Sequence, residues 1–511
     1  MTEEIWKPKN PWFLIIAPMF AAFMFALDET IANIALPHIA GSFSVSNQES
    51  IWVLTSYLIA SCLTIPMIDW LGKLIGRKNL FLTAVILFTS ASLWCGVSHS
   101  IAEMVIARFF QGLGGGVLLP IAQAIILETF EGKEQSLAIS VFGMVTIIAP
   151  ILGPVLGGYI TENYSWHWIY LINIPIGLFI VYLTFKFFED PPYARRQKNV
   201  KTDYWGLIFL FFFAVCFEIV MDKGNDEDWF ASDMICRLTV IWVVALIGFI
   251  ISQIKQKNTL VKFDVLKDFN YTVGTTALAL MNGVLLASMA MLPQFMQNMM
   301  GYDSFTSGLT MMPRGIGCLA GTFIYSALAG KISDKAIAFA GVCFVCLGSW
   351  LLGFINLEIS SASVAVPNIM YGFGMAMGMI PLITYSCLRV PNEKMSNASG
   401  LQNFIKTIGG AVGTSLVATF ISRFSQVHQN MLTHTLTETN GIYMDRLQSY
   451  TSQFAASLDL ASAKNMAENY IYNQLGVQAH LWAYIDSFRI FAVAGVIILI
   501  LILCMHNKKT A

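Results

Sequence analysis

Long apolar runs alternate with short polar connectors along almost the whole chain. A helix needs about twenty apolar residues to cross a bilayer, and about fourteen stretches meet that criterion. Their approximate limits are 12–36, 50–70, 79–98, 101–127, 136–160, 168–188, 204–221, 235–253, 272–298, 306–329, 336–356, 362–387, 398–422 and 482–505. The pattern predicts an all-α polytopic membrane protein. The first run follows Glu3, Glu4, Lys7 and Lys9, is too long for a signal-peptide core and lacks a cleavage site, so it is expected to be the first membrane helix.

The connectors differ in charge by turns. One set carries Lys73, Arg77 and Lys78; Lys133; Arg195, Arg196, Lys198 and Lys201; Lys255, Lys257, Lys262 and Lys267; Lys331 and Lys335; Arg389 and Lys394. The alternate set carries almost none, except Lys223 amid Asp222, Asp226, Glu227, Asp228 and Asp233. Basic loops face the cytoplasm, so both termini are expected there, in agreement with Lys508 and Lys509, and the number of spans must be even.

The chain also repeats itself. Gln111-Gly112-Leu113-Gly114 with Pro120 returns as Tyr371-Gly372-Phe373-Gly374 with Pro381, Ser136 and Gly153 return as Ser396 and Gly413, and Asp69 to Lys73 returns as Gly330 to Asp334. The shared offset exceeds six spans, and the surplus matches the two helices 204–221 and 235–253. The expected plan is six plus two plus six: a first half over 1–200, an inserted pair over 201–258, and a second half over 259–511. Duplication in an apolar chain is characteristic of secondary transporters, whose site lies between the repeats. Residues 423–481 form a long polar external segment in which Met444, Leu447, Phe454 and Leu458, then Met466, Tyr470 and Ile471, recur at helical spacing. They are expected to form amphipathic helices, either lying on the outer membrane surface or docking a partner.

Composition agrees with the membrane assignment, with 56% hydrophobic and 12% charged residues, and the net charge of -1 gives no reason to expect a nucleic-acid partner. The nine cysteines are scattered through apolar runs. Cys343 and Cys346 lie inside a span with no βαβ pattern, so neither a disulfide framework nor a redox motif is implied.

Four ordered motifs carry a resemblance. Leu27-Asp28-Glu29-Thr30-Ile31-Ala32-Asn33-Ile34-Ala35-Leu36-Pro37 resembles L-D-x-T-I-V-N-V-A-L-P, and Arg108-Phe109-Phe110-Gln111-Gly112 resembles R-x-x-q-G of helix 4. Gly153-Pro154-Val155-Leu156-Gly157-Gly158 resembles the G-P-x-x-G-G motif of helix 5, and Trp166 to Pro175 resembles W-R-W-I-F-x-I-N-x-P at the entry to helix 6, with His167 in place of Arg. Together they resemble the fourteen-helix drug:proton antiporters of the major facilitator superfamily, EmrB type, over nearly the whole chain. One loop departs from that pattern. The G-x-L-a-D-r-x-G-r-r loop reads Asp69-Trp70-Leu71-Gly72-Lys73-Leu74-Ile75-Gly76-Arg77-Lys78, with an acid where the first Gly belongs and a base where the acid belongs. The second copy keeps Asp334.

A carboxylate inside a membrane span is costly and normally faces a cavity or a partner. At about 1.5 Å per residue, Asp28 sits roughly 24 Å up the first helix and Arg108 roughly 10 Å below the outer surface, depths at which the two can pair. Asp28 and Arg108 are therefore the first candidates for proton coupling, against a purely structural ion pair, and Glu218 is a further one, against a local hydrogen bond. Glu29, about 100° away on the helix, is expected at the interface. Arg314 and Lys406 are expected to snorkel, Lys406 standing where the family has the Arg of N-x-x-R. Candidate substrate contacts are Gln111 on helix 4 and, on helix 9 among the Met-rich helices 9, 10 and 12, Met291, Gln294 and Asn298. Asp69, Lys73, Arg77, Gly153, Pro154, Gly157, Gly158 and Asp334 are candidate conformational residues. The glycines of 112–116 are expected to pack helices closely, and no phosphate loop, metal or cofactor site is expected.

The expected function is proton-coupled efflux of hydrophobic or amphipathic compounds across the inner membrane, with a dedicated exporter or flippase of one metabolite or lipid as the alternative. An enzyme is disfavoured by the lack of H-E-x-x-H and G-x-S-x-G. The resemblance further implies a periplasmic adaptor and an outer-membrane channel as partners.

Overall fold

The computed structural model describes Pro8 and residues 10–197, 200–256, 259–457 and 459–506. The expectations on Glu3, Glu4, Lys7, Lys9, Lys198, Lys257, Leu458, Lys508 and Lys509 lie outside the described residues. The molecule is helical, with no strand among the described residues. The long helices are α1 (Pro11–Phe43), α2 (Trp52–Ile75), α3 (Arg77–Gly96), α4 (Ile101–Thr129), α5 (Gly132–Asn163), α6 (His167–Phe187), α7 (Tyr204–Lys223) and α8 (Asp233–Lys255). There follow α9 (Phe269–Asn298), α10 (Met312–Leu328), α11 (Asp334–Leu352), α12 (Ser361–Cys387), α13 (Met395–Thr433), α14 (Gly441–Phe454) and α15 (Leu460–Cys504). The protein is multi-pass: 13 of the described helices are long and apolar enough to cross a membrane.

The predicted span 306–329 comes in two pieces, a short helix Ser304–Leu309 and α10. Pro313 stands in the first turn of α10, where its missing N–H costs nothing but where it marks a fresh helix start. With 17 residues, α10 is about 25 Å long.

Packing repeats as the sequence does. In the first half α1 packs on α5, α2 and α3 on α4, and α3 on α6; in the second half α9 packs on α13, α10 and α11 on α12, and α11 on α15. Corresponding glycines make corresponding close approaches. A Cβ at Gly112 would lie 2.3 Å from the Tyr57 carbonyl oxygen, and one at Gly372 1.9 Å from that of Arg314. A Cβ at Gly153 would meet Thr30 Oγ1 at 2.1 Å, and one at Gly413 would meet the Gly283 backbone at 2.5 Å. In each case the small residue lets backbones touch where helices have no hydrophobic drive to associate in lipid.

The inserted helices α7 and α8 pack on each other, and α7 lies against both α2 and α13. It is fixed by Thr55 Oγ1 donating to Asp222 Oδ2 (2.6 Å), by Trp229 Nε1 donating to Thr419 Oγ1 (3.0 Å), and by the ring contact of Phe213 with Phe404.

The external segment differs from its expectation. α13 and α15, of 39 and 45 residues, run about 58 and 68 Å, well beyond a hydrocarbon core of about 30 Å. They project as continuous rods rather than stopping at residues 422 and 482. α14 packs on α15 through Leu447, Ala467 and Ile471, with Tyr443, Tyr450 and Phe454 around them. Of the apolar stripe that the spacing revealed, Leu447 and Ile471 form the core of a projecting helical crown, while Met444, Met466 and Tyr470 stay exposed.

Candidate functional site: a sealed carboxylate between α1 and α4

Asp28 sits in the apolar middle of α1 and is 1% exposed; Arg108, on α4, is 0% exposed. Arg108 Nη1 donates to Asp28 Oδ2 at 2.5 Å. Asp28 Oδ1 accepts from Gln111 Nε2 (2.9 Å) and Asn173 Nδ2 (2.8 Å). Three donors from α4 and α6 therefore hold one carboxylate.

A second tier fixes those donors. Ser92 Oγ on α3 accepts from Gln111 (3.2 Å) and Asn173 (3.0 Å) and donates to the Tyr170 carbonyl (2.9 Å). Arg108 Nε donates to the Val53 carbonyl (3.1 Å), Nη1 also reaches Gln111 Oε1 (2.8 Å), and the guanidinium lies over the Tyr57 ring at 4.1 Å. Arg108 Nη2 has no hydrogen-bond partner. A buried pair of this kind is weak as a source of stability but strongly resists loss of one partner, and its spare donor allows a rearrangement with no new desolvation.

The second half holds a counterpart with the roles exchanged. Arg314 of α10 is 0% exposed, so it does not snorkel as expected. Its Nε and Nη2 donate to Asn368 Oδ1 (3.1 and 2.9 Å), Nη1 donates to Ser288 Oγ (3.0 Å), and its guanidinium lies 4.3 Å over Tyr371. In the first half Arg comes from α4 and Tyr from α2; in the second, Arg comes from α10 and Tyr from α12. Among the described residues no carboxylate pairs with Arg314.

The remaining expected residues divide. Gln111 belongs to the Asp28 network, and Met291 is sealed in the core together with Met296, Met311 and Met375. Gln294 and Asn298 are exposed. These four do not come together as one wall, because α9 turns its methionine face into the bundle. Gly153, Pro154 and Gly157 lie where α5 crosses α1 beside Thr30 and Ile31; α5 stays continuous through Pro154, and Gly158 is buried. Glu218 is buried on α7 at 3% exposure. Glu29 on α1 and Lys406 on α13 are both half-buried.

At the end of the bundle where the basic loops collect, Arg77 holds Glu128 bidentately (2.7 and 2.9 Å) and donates to Ser396 Oγ of the second half (2.7 Å). Tyr193 Oη donates to Glu128 Oε2 (2.8 Å). Gln123 donates to Gln402 Oε1 (2.5 Å) and accepts from Asn403 (2.7 Å). Asp69 pairs with Lys73 one turn on, so the charge-exchanged loop satisfies itself within α2. Asp334 opens α11 and accepts from Tyr325 Oη (3.3 Å). The bonds of Arg77 to Ser396 and of Gln123 to Gln402 and Asn403 join the two halves at that end.

Comparison with known proteins places this geometry in a family. The profile of the Major Facilitator Superfamily matches residues 19–414. Over 497 residues the chain is 32% identical to the probable multidrug resistance protein EmrY of Escherichia coli, covering 96% of this chain and 94% of that one. It is 33% identical to the E. coli multidrug export protein EmrB (84% and 83% covered) and 32% identical to the fatty acid resistance protein FarB of Neisseria gonorrhoeae (82% of each). The chain belongs to the Major Facilitator Superfamily. Its fold is similar to that of the human organic anion transporter MFSD10, with a TM-score of 0.62 at 11% identity, covering 96% of this chain and 99% of that chain. Membership in this superfamily fixes the class as a transporter embedded in lipid.

Asn173, Ser92 and Tyr57 were missed by sequence reasoning. Asn173 stood in plain sight within the Trp166 to Pro175 motif, as the polar residue of an apolar helix entry. Ser92 and Tyr57 carry no comparable signal, since Ser and Tyr are common in membrane helices.

Proposed function

We propose that the protein is a proton-coupled exporter of hydrophobic or amphipathic compounds, sited in the inner membrane with the basic-loop end in the cytoplasm. The observation that carries the reading is the Asp28 carboxylate, sealed in the membrane interior against Arg108 and three helices. Such a group is costly to keep unless its charge is used. A proton arriving from outside neutralises Asp28 and frees Arg108 and Asn173 to rearrange; release on the inner side restores the pair. Each proton entering under about 100 mV supplies about 2.3 kcal/mol, enough for a roughly fifty-fold substrate gradient. The names of the relatives EmrY and EmrB, a probable multidrug resistance protein and a multidrug export protein, favour export of many compounds over a single metabolite.

The crown of α13, α14 and α15 stands on the outer side in this orientation. Its outward residues, Ile442 and Leu460 among them, are exposed and are the surface on which a periplasmic adaptor feeding an outer-membrane channel would sit. Purified protein in liposomes tests the central reading: in vesicles that hold the protein inside-out, an acidic lumen should drive substrate uptake as protons leave, and collapse of the gradient by an uncoupler should stop it. Flux indifferent to the gradient would rule out proton coupling.

A further inference from the structure

The loop between α7 and α8 is tied to both halves at the crown end of the bundle. On one side Asp222 Oδ2, in the last turn of α7, accepts from Thr55 Oγ1 of α2 (2.6 Å). On the other, Trp229 Nε1 donates to Thr419 Oγ1 of α13 (3.0 Å), and one turn further along α13 Arg423 Nη2 donates to Asp228 Oδ1 (2.9 Å). Since α2 belongs to the first half and α13 to the second, one short loop spans the boundary between them.

The helices beneath the loop give it leverage. Toward the basic-loop end α13 packs directly on residues 65–75 of α2; toward the crown end Trp52–Thr64 of α2 packs on α7, which also packs on α13. At the crown end α7 is thus a spacer between the halves, while at the other end Arg77 meets Ser396 and Gln123 meets Gln402 and Asn403 directly. Rocking of one half against the other brings the crown ends of α2 and α13 together, and the spacer must then let go of one of them.

The backbone shows which side gives way. Asp228 and Trp229 stand next to each other at φ 53° and 54°, a left-handed conformation that a Cβ disfavours and that is a true outlier for a bulky side chain. Such strain persists only where surrounding contacts impose it, and it gathers at switch regions. Here the two strained residues are the same two that bond Thr419 and Arg423. The Trp229 ring folds back over Gly224, where a Cβ would lie 2.9 Å from the ring, and Trp229 N donates to the Gly224 carbonyl (2.7 Å). Asp228 and Arg423 are both exposed, so their bond opens into water at little cost. Asp222 by contrast reaches Thr55 from regular helix, and Thr55 is buried.

We propose that the α7–α8 loop is a strained latch on α13. While Asp228 and Trp229 hold Arg423 and Thr419, the halves stay apart at the crown end and closed at the basic-loop end. Their release lets the basic-loop end open, and Asp222 keeps the loop anchored to α2 throughout. The latch governs movement of the halves, whatever compound is carried.

The test uses the purified full chain and its own thiols, read by peptide mass spectrometry after N-ethylmaleimide. Cys387 is buried at the basic-loop end in a cavity that it shares with Glu128 and Phe130 of the first half, so it reports opening there. Cys95, buried against Gln111 within the first half, reports unfolding. Trp229→Phe combined with Arg423→Gln removes both bonds to α13 but keeps the strained backbone, and should raise the rate of Cys387 alkylation about fivefold or more with Cys95 unreacted. Asp228→Cys combined with Arg423→Cys should raise it as well. Joining those two cysteines with ethylene bis-methanethiosulfonate should return Cys387 to the wild-type rate, and reduction should raise it again. A wild-type rate in the Trp229→Phe, Arg423→Gln variant would overturn the proposal. So would a rise shared by Cys95, or one that the cross-link fails to reverse, because either means general loosening. None of these rates needs a proton gradient, so failure here leaves the exporter reading intact.

Discussion

Arg108 Nη1 and Asp28 Oδ2 lie 2.5 Å apart with both side chains closed to solvent, so this ion pair is made where water does not reach it. A proton can arrive only when the helices around it move. Opening and titration are thereby tied together.

Arg108→Ala removes the counter-charge and leaves a buried carboxylate, a change of about 3–5 kcal/mol for such pairs. Removing a nearby positive charge favours the neutral acid, so proton release becomes harder. The pH optimum of transport in liposomes should move upward and the maximal rate should fall. An unchanged optimum would mean that the pair is structural only.

Asn173→Ala leaves Asp28 Oδ1 with Gln111 as its single donor and Ser92 without one of its two. The loss of a hydrogen bond to a charged buried group costs about 1.5–3 kcal/mol. Transport should slow about tenfold or more with little change in membrane expression, whereas Ser90→Ala, on the exposed side of the same helix α3, should have no effect. Flux measured at matched protein density separates the two.

At Gly112 and Gly372 an added Cβ would sit inside the contact distance of a backbone carbonyl. Alanine at either position should push α4 from α2, or α12 from α10, and lower the melting temperature of the purified protein by several degrees. Gly441→Ala, where nothing lies within 4 Å of the new Cβ, is the control and should leave melting unchanged.

Leu447→Ser exposes the core of the crown, a loss of roughly 1.5–3 kcal/mol. Hydrogen exchange should accelerate over residues 441–475, while the Asp28 network stays protected. Transport in liposomes should persist, because Leu447 touches neither the Asp28 nor the Arg314 network.

Much of this was legible in the sequence. Span positions followed from hydropathy, since lipid leaves a chain few alternatives to the helix, and the Asp28–Arg108 pair followed from two charges placed at one depth. What was hidden depended on rotation and on partners. Residues at positions 291, 294 and 298 share α9, but only the fold says that Met291 turns inward and that Gln294 and Asn298 turn out. The stripe through Leu447 and Ile471 was read as a surface because spacing reports an apolar face without naming what covers it, and here α14 and α15 cover each other. Arg314 was expected to snorkel because depth alone cannot reveal Asn368, Ser288 and Tyr371 waiting on neighbouring helices. The exchanged Asp69 and Lys73 showed a departure from the usual loop, but only the structure shows them paired with each other.

Proton-driven flux of Asp28→Asn in liposomes tests the central claim most directly. The amide keeps the size of the side chain and part of its hydrogen bonding but carries no titratable proton. The account predicts a folded protein that no longer concentrates substrate under an imposed proton gradient, though it can still equilibrate substrate down its own gradient. Asp28→Asn vesicles that concentrate substrate at the wild-type rate would contradict it.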